Sequence, residues 1–231
     1  MLKLIRQELS AAKRYMSKWA CIETLLNEKT MTWIKIISYE QATGALRKLY
    51  DRLKGADNKI DNIMLAHSLR PNSMNGHMAL YKNVLHHSGN KIEKWILEMI
   101  GVHTSMQNEC SYCVEHHFIG MENLLSNDDR ASKIRESLKS GQWKESFDAK
   151  IKAALMYAEK LTDNPSNINE SDIMALRDSG WDDGEILEIN QVVAYFNYAN
   201  RTVLGLSITT EGDKLGLSPG DSSDENNWQH Q

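Results

Sequence analysis

The amino-acid sequence predicts an all-α protein. Between the turn signals, apolar residues recur at the three- and four-residue spacing that places them on one face of a helix, not at the alternating spacing of strands. Proline, which breaks helices, occurs only three times in 231 residues. A composition of 41% hydrophobic and 25% charged residues is ordinary for a globular protein. Together these observations favour one helical domain with a sizeable core.

The apolar periodicity and the end signals place the helices in order along the chain. We predict them at about residues 3–28, 40–54, 58–68, 73–88, 91–106, 109–126, 129–139, 147–162, 170–179 and 183–205. Ser146 is the predicted N-cap of the helix at 147–162, and Asn169 or Ser171 that of the next helix. Gly180 is the predicted residue just beyond the end of the helix at 170–179. Residues 33–38 are expected to form an extended lead-in.

Both ends of the chain differ from its middle, which we predict to be a helical domain at residues 31–217. Residues 1–30 carry six Lys or Arg against three Glu, so they could form a basic amphipathic helix like that of a transit peptide. The three glutamates are unusual for such a peptide, and the other interpretation is an extension upstream of a natural start at Met31. Residues 218–231 read as a polar, loosely ordered tail.

Composition also argues against several functional classes. No apolar stretch approaches the roughly 20 residues of a membrane-spanning helix. A net charge of −4 and an isoelectric point near 6.1 leave no basic face for nucleic acid. The three cysteines are one Cys-x-x-Cys pair and the isolated Cys21, to which we assign no role, and they cannot build a multi-disulfide framework. We therefore predict a reducing, cytoplasmic environment.

The stretch "NECSYCVEHH", residues 108–117, carries the candidate chemistry. On a helix, Cys110, Cys113 and His117 fall within about 60° of one another, whereas His116 points well away from this stripe. Asn108 is the expected N-cap. The free amides and the dipole of a helix N-terminus stabilise a thiolate, and a histidine within reach can take the thiol proton. The arrangement is typical of a reactive dithiol.

Three other interpretations of the stretch remain open. His103 could join Cys110, Cys113 and His117 as the fourth ligand of a zinc ion. The cysteines could instead be ordinary buried residues beside a satisfied histidine. A redox switch without turnover would use the same thiol chemistry as an enzyme.

Weaker candidates lie elsewhere in the chain. His86 and His87 could line the edge of a pocket, although paired histidines at a helix end are more often capping or surface residues. Asn197, Asn200 and Arg201, near the end of the last long helix, could line a pocket or bridge subunits.

A longer pattern includes the dithiol. Glu98, eleven residues, Cys-x-x-Cys, three residues and His117 resembles the signature of the alkylhydroperoxidase D-like group of the carboxymuconolactone decarboxylase superfamily. The segments "MTWIKIISYEQATGALRKLYDRL", "NIMLAHSLRPNSMNGHMALYKNVLHH" and "GWDDGEILEINQVVAYFNYANRTVLGL" extend the resemblance over residues 31–217, to its peroxidase-related members. It implies an all-helical fold, no bound cofactor, and assembly into a homo-oligomer, either a trimer or a hexamer.

The resemblance also implies roles for four residues. Cys113 would meet the peroxide, Cys110 would resolve it as a disulfide, His117 would be the base, and Glu98 the acid that orients and recharges His117. An external dithiol, such as a lipoyl-type protein, would reset the disulfide. Tyr112 stands where the alkylhydroperoxidase itself has a histidine. Because tyrosine is a poor base at neutral pH, a shorter relay and weaker activity are expected.

The role of Glu98 requires a chain reversal. In one unbroken helix Glu98 would lie about 18 Å along the axis and about 120° around it from Cys110, too far to contact His117. A break within "HTSMQN", residues 103–108, would let a second helix fold back on the first. The predicted function is a thiol-dependent peroxidase for hydrogen peroxide or organic hydroperoxides. The alternatives are a carboxymuconolactone decarboxylase-type lyase and a non-enzymatic redox-sensing or zinc-binding module.

Overall fold

A computed structural model describes residues 31–54, 59–217 and 228 of the chain, and the secondary structure of these residues is entirely helical. The α-helices are α1 (Gly44–Leu53), α2 (Asn62–Ala66), α3 (Pro71–Tyr81), α4 (Lys94–Gln107), α5 (Ser111–Leu125), α6 (Asp128–Ser140), α7 (Trp143–Ser146), α8 (Ala149–Asp163), α9 (Glu170–Asp178) and α10 (Asp183–Leu206). A π-helical turn, Lys82–His86, continues α3, and a 3-10 turn, Pro165–Asn167, follows α8. The all-α prediction is confirmed, and residues 33–38 contain no helix or strand.

Contacts group Thr32–Gln231 into one compact unit and Met1–Met31 into another, of which only Met31 is described. The predicted helix at 3–28, the predicted extension and Cys21 therefore lie outside the described residues. So does most of the predicted tail at 218–231. Trp228 is described, however: it is buried among the core residues, and the guanidinium of Arg52 lies 3.7 Å from the centre of its ring.

Helix α4 is the centre of the core. Nearly all of its side chains are buried, polar ones included, and Leu97, Met99, Ile100 and Val102 have no exposed surface. The helix packs against α5, α8 and α10. A helix that is buried on all sides lies in the middle of its domain, and this position explains how α4 can carry a carboxylate into the interior.

Helices α4 and α5 form the reversal that the glutamate prediction requires. Asn108 ends α4, Glu109 takes a left-handed backbone with φ of +55°, and Cys110 is the N-cap residue of α5. The predicted cap at Asn108 is therefore wrong. The turn is completed only after Glu109, and the Asn108 amide donates instead to the side chains of two asparagines on α10.

End signals elsewhere give a mixed result. Asp148, not Ser146, caps α8 by accepting the N–H of Ile151 at 2.9 Å, and Ser146 is the last residue of α7. Asn169 caps α9 as predicted, and Gly180 follows that helix with φ of +103°. The predicted cap at Ser146 is therefore wrong, because α8 begins two residues later than the sequence predicted, at Ala149.

One glycine lets α10 approach α4 closely. A Cβ on Gly101 would lie 2.1 Å from a ring carbon of Phe196, so only glycine permits this contact. The Phe196 ring then meets the ring of His117 edge to face, with centroids 4.5 Å apart. The packing of α10 against α4 thereby supports a predicted site residue on α5.

None of the helices in the described part of the chain combines the length and apolar character that a bilayer crossing requires.

Candidate functional site

The two thiols lie at the start of α5. Cys110 is its N-cap residue and Cys113 its third helical residue. Both are free and buried, and their sulfur atoms are 3.0 Å apart and hydrogen bonded. A disulfide bond needs a sulfur separation of about 2.05 Å, so closure requires an approach of about 1 Å.

The pair is electrostatically unequal. The hydrogen bond between the two thiols lowers the pKa of Cys110, and the backbone N–H of Cys113 and the Asn200 side chain act in the same direction. The same thiol pairing and burial raise the pKa of Cys113 well above its usual value, although Asn200 opposes the rise. In the resting pair the Cys110 thiol donates to the Cys113 sulfur, and these pKa directions make Cys110 the more readily ionised of the two.

His117 contacts Glu98 directly. Its Nδ1 lies 2.7 Å from Glu98 Oε2 across the antiparallel pair α4 and α5, and the carboxylate is 1% exposed. Gly120 lies beside this carboxylate, and a Cβ there would be in ordinary van der Waals contact with it, 3.5 Å from Glu98 Oε1. A carboxylate accepts at Nδ1 and so holds the hydrogen of a neutral imidazole on that nitrogen, which leaves Nε2 free to accept a proton. The geometry suits a base that is oriented by an acid.

A second imidazole lies on the other side of the carboxylate. His86 Nε2 is 3.6 Å from Glu98 Oε1, and the His86 side chain is 3% exposed. The expectation that His86 is a capping or surface residue is therefore wrong, because the π-helical turn carries it into the interior. Its neighbour His87 stays in a turn, where Nδ1 accepts the N–H of Gly89 at 2.9 Å. The sequence contains no signal for a single turn of π-helix, which is why the two histidines could not be separated.

Cys113, Glu98 and His117 line one small cavity of about 40 Å³. Cys110 does not line it. The other lining residues are mostly aromatic or apolar: Ile63, Met64, His77, Met78, Tyr81, Tyr112, Gly120, Tyr195, Ala199 and Leu217, with Asp61 and His116 as further polar members. Because Cys113 lines the cavity and Cys110 does not, Cys113 is the thiol within reach of a substrate. The lowered pKa belongs instead to Cys110.

His116 and Tyr112 face a different carboxylate. His116 Nε2 lies 3.2 Å from Asp213 Oδ2, and the Tyr112 hydroxyl donates to the same oxygen at 2.8 Å. Burial, with Asp213 next, raises the pKa of Tyr112 well above its usual value. His117, not His116, therefore contacts Glu98, as the resemblance implied. Tyr112 remains a protonated phenol that anchors Asp213.

The asparagines of α10 brace the chain reversal. The Asn108 amide donates to Asn197 Oδ1 at 3.0 Å and to Asn200 Oδ1 at 2.9 Å, and Asn200 donates in turn to Ser105 Oγ. Arg201 is exposed and bonds to the backbone and side chain of Asn197. Asn200 therefore belongs to the thiol site, whereas Arg201 makes local contacts within α10.

The zinc interpretation finds no fourth ligand at His103. Its Nε2 is 3.0 Å from Gln107 Nε2, its ring packs edge to face on Trp143, and burial lowers its pKa to about 4. It lines a separate, larger cleft that does not include Cys110 or Cys113. Within residues 31–54, 59–217 and 228, no group of three or more His, Cys, Asp and Glu side chains is placed to hold a metal ion.

Comparison with known proteins extends the assignment of the fold. Neither any family model nor any curated protein matches the chain. The alkylhydroperoxidase AhpD core of Ralstonia eutropha JMP134, a peroxidase-related protein, matches with a TM-score of 0.65 and 22% identity, over 78% of this chain and 92% of that one. A peroxidase-related protein of Silicibacter sp. TM1040 matches with a TM-score of 0.66 and 23% identity, over 79% and 93%.

A third similar structure has a different activity in its name. The debrominase Bmp8 in complex with 2,3,4-tribromopyrrole matches with a TM-score of 0.57 and 16% identity, over 80% of this chain and 94% of that one. These similarities establish that the chain has the fold of the alkylhydroperoxidase core, as the motif resemblance implied. Because one fold serves several chemistries, the activity has to be argued from the site.

Proposed function

We propose that this chain, which has the alkylhydroperoxidase-core fold, is a thiol-dependent peroxidase that cycles through a Cys110 to Cys113 disulfide. The supporting observation is the pair of free thiols 3.0 Å apart, with Cys113 on the same cavity as the Glu98-bound His117. A buried dithiol beside an oriented base is what peroxide reduction needs, since the thiolate is the nucleophile.

In the first step the Cys113 sulfur attacks one oxygen of the peroxide. Its proton passes to His117 Nε2, the oxygen–oxygen bond breaks heterolytically, and the leaving oxygen takes the proton back from His117 as water or an alcohol. Cys113 becomes a sulfenic acid. Glu98 stabilises the imidazolium that exists between the two transfers.

In the second step the Cys110 thiolate attacks the Cys113 sulfur and expels hydroxide, which leaves as water after protonation. The backbone N–H of Cys113 and the Asn200 side chain, which also lower the pKa of Cys110, remain after Cys113 is oxidised and favour the thiolate there. The Cys110 to Cys113 disulfide now carries the two-electron oxidation that the peroxide delivered. An external dithiol returns both cysteines to thiols by exchange, and itself becomes a disulfide.

The test is peroxide consumption with excess dithiol reductant by the wild-type protein, Cys113→Ser, His117→Ala and, as a matched cysteine control, Cys21→Ser. We expect multiple turnovers for the wild type and Cys21→Ser, near-background rates for Cys113→Ser, and a loss of about 10²- to 10⁴-fold for His117→Ala. Equal rates in all four proteins would rule out the proposal.

Thiol loss and muconolactone turnover separate the alternatives. A redox sensor would lose its thiols once without turnover. A lyase of the decarboxylase type would turn over a muconolactone after loss of both Cys110 and Cys113, which the thiol mechanism forbids.

A further inference from the structure

We infer that the thiol cavity accepts only very small peroxides, hydrogen peroxide first among them, and that residues 207–217 set this limit. This segment, here called the strap, follows α10 and lies against α5. The inference rests on the proposed peroxidase function and specifies its substrate class.

The small volume of the cavity limits the size of its ligand. It measures about 40 Å³, and a single water needs about 10–15 Å³ of such space. The cavity therefore has room for about three waters. Hydrogen peroxide fits within that space, whereas the phenyl group of cumene hydroperoxide or the ring of a bromopyrrole does not.

The inner wall cannot easily yield. Met64 and Met78, which line the cavity, are 2% and 1% exposed and belong to the main hydrophobic core. Tyr195, another lining residue, is also buried there and its ring stacks on Tyr81 with centroids 5.7 Å apart. Close-packed interiors resist expansion, so a larger ligand would have to enlarge the cavity at its outer side.

The strap forms that outer side. Leu217 lines the cavity, and the preceding Gly216 packs so closely on α5 that a Cβ there would lie 2.2 Å from a methyl carbon of Ile119. The Asn123 amide donates to the Gly216 carbonyl at 3.3 Å. Contacts from two successive turns of α5 thus hold Leu217 in place over the cavity.

Asp213 fixes the middle of the strap. Its side chain is 2% exposed, and it accepts hydrogen bonds from the Tyr112 hydroxyl and from the backbone N–H of Asn62, at 2.8 Å and 3.0 Å, beside His116. Hydrogen bonds to a buried carboxylate are among the strongest in proteins. Because Tyr112 and Cys113 both line the cavity, this attachment holds the strap against the wall that carries the Cys113 thiol.

Hydrogen peroxide satisfies the chemistry without further space. The Cys113 sulfur bonds to one oxygen, the oxygen–oxygen bond breaks, and the other oxygen departs as water with the proton from His117. Neither product is larger than the substrate, and no alkyl group has to be accommodated beside Leu217.

The experiment measures thiol loss in a single turnover by the fully reduced full-length protein, with no reductant present, so that access of a reductant does not enter the result. Rate constants are compared for hydrogen peroxide and cumene hydroperoxide in the wild type, Leu217→Ala and Asp213→Ala. Leu215→Ala is the matched control, because Leu215 is a half-buried leucine of the same strap that does not line the cavity. Circular dichroism verifies folding.

In the wild type and Leu215→Ala we expect hydrogen peroxide to react at least about tenfold faster than cumene hydroperoxide. Leu217→Ala and Asp213→Ala should reduce this ratio several-fold, mainly by speeding the reaction with the larger peroxide. Equal rate constants in the wild type would overturn the size limit while leaving the peroxidase function intact. Debromination of 2,3,4-tribromopyrrole by the wild type would also overturn the size limit. If the ratio of the two rate constants were unchanged in both Leu217→Ala and Asp213→Ala, the role of the strap would be overturned. Reaction with neither peroxide would refute the peroxidase function itself, a separate outcome.

Discussion

Replacement of Glu98 by glutamine tests the proton relay most sharply. The substitution keeps the shape of the side chain but removes the charge that lies 2.7 Å from His117 Nδ1. A hydrogen bond to a charged partner contributes about 1.5–3 kcal/mol, and the proposed mechanism forms an imidazolium at His117 during proton transfer. Losing about 1.5–3 kcal/mol of transition-state stabilisation corresponds to a rate about 13- to 160-fold lower.

The effect on stability should be small by comparison. The Glu98 carboxylate is 1% exposed, and its burial costs free energy that its pairing with His117 and His86 offsets. A neutral amide of the same size removes both the cost and the gain. We therefore expect the free energy of unfolding of Glu98→Gln to change by less than about 1–2 kcal/mol, so that lost activity is not lost folding.

A control exists in another histidine and glutamate pair, in which the His103 side chain is buried and the Glu159 side chain is 34% exposed. Glu159 Oε1 lies 3.7 Å from His103 Nε2, away from the thiol cavity. The assay is single-turnover thiol oxidation by hydrogen peroxide, with urea denaturation for stability. Glu98→Gln should be slow and Glu159→Gln normal. A Glu98→Gln rate close to that of the wild type, or an equal loss in Glu159→Gln, would refute the relay.

Three further predictions follow from the site. Cys110→Ser should stop at the Cys113 sulfenic acid, which a sulfenic-acid-trapping reagent and mass spectrometry detect; a wild-type level of turnover would contradict the resolving role of Cys110. Cys113→Ala should raise the pKa of Cys110, because it removes the main group that lowers it. The thiolate should then form at higher pH, as measured by the pH dependence of alkylation, and an unchanged or lower midpoint would contradict this cause. Gly101→Ala should destabilise the fold by about 1–3 kcal/mol, since its Cβ would meet the Phe196 ring at 2.1 Å. Gly101→Ala should also slow thiol oxidation, because Phe196 packs on His117. The control is Gly205→Ala, whose new Cβ would have nothing within 4 Å. Equal thermal stability of the two variants would contradict the argument.

The helices could be predicted because their signals are local. Apolar spacing located the described helices longer than five residues to within a few positions, and Asn169 and Gly180 marked the two ends of α9. Local signals failed at the start of α8, where Asp148 and not the predicted Ser146 is the cap, and at the π-helical turn that contains His86.

The site was predictable only in part. The spacing of Cys110, Cys113 and His117 predicted a shared face because helical geometry repeats. The resemblance added Glu98. The sequence offered His86 and Asn200 only as weak pocket candidates and did not offer the strap carboxylate of Asp213 at all, because each reaches the site from a distant segment through tertiary packing.

The sequence by itself determined the helical fold class and the dithiol, since these follow from periodicity and spacing along one chain, whereas the need for a reversal between residues 98 and 110 came from the family resemblance. Only the tertiary structure decided which imidazoles meet the Glu98 carboxylate, which thiol ionises first and how little space remains beside Cys113. Proton affinity and cavity volume depend on the distances between packed segments, and those distances exist only after the helices have folded together.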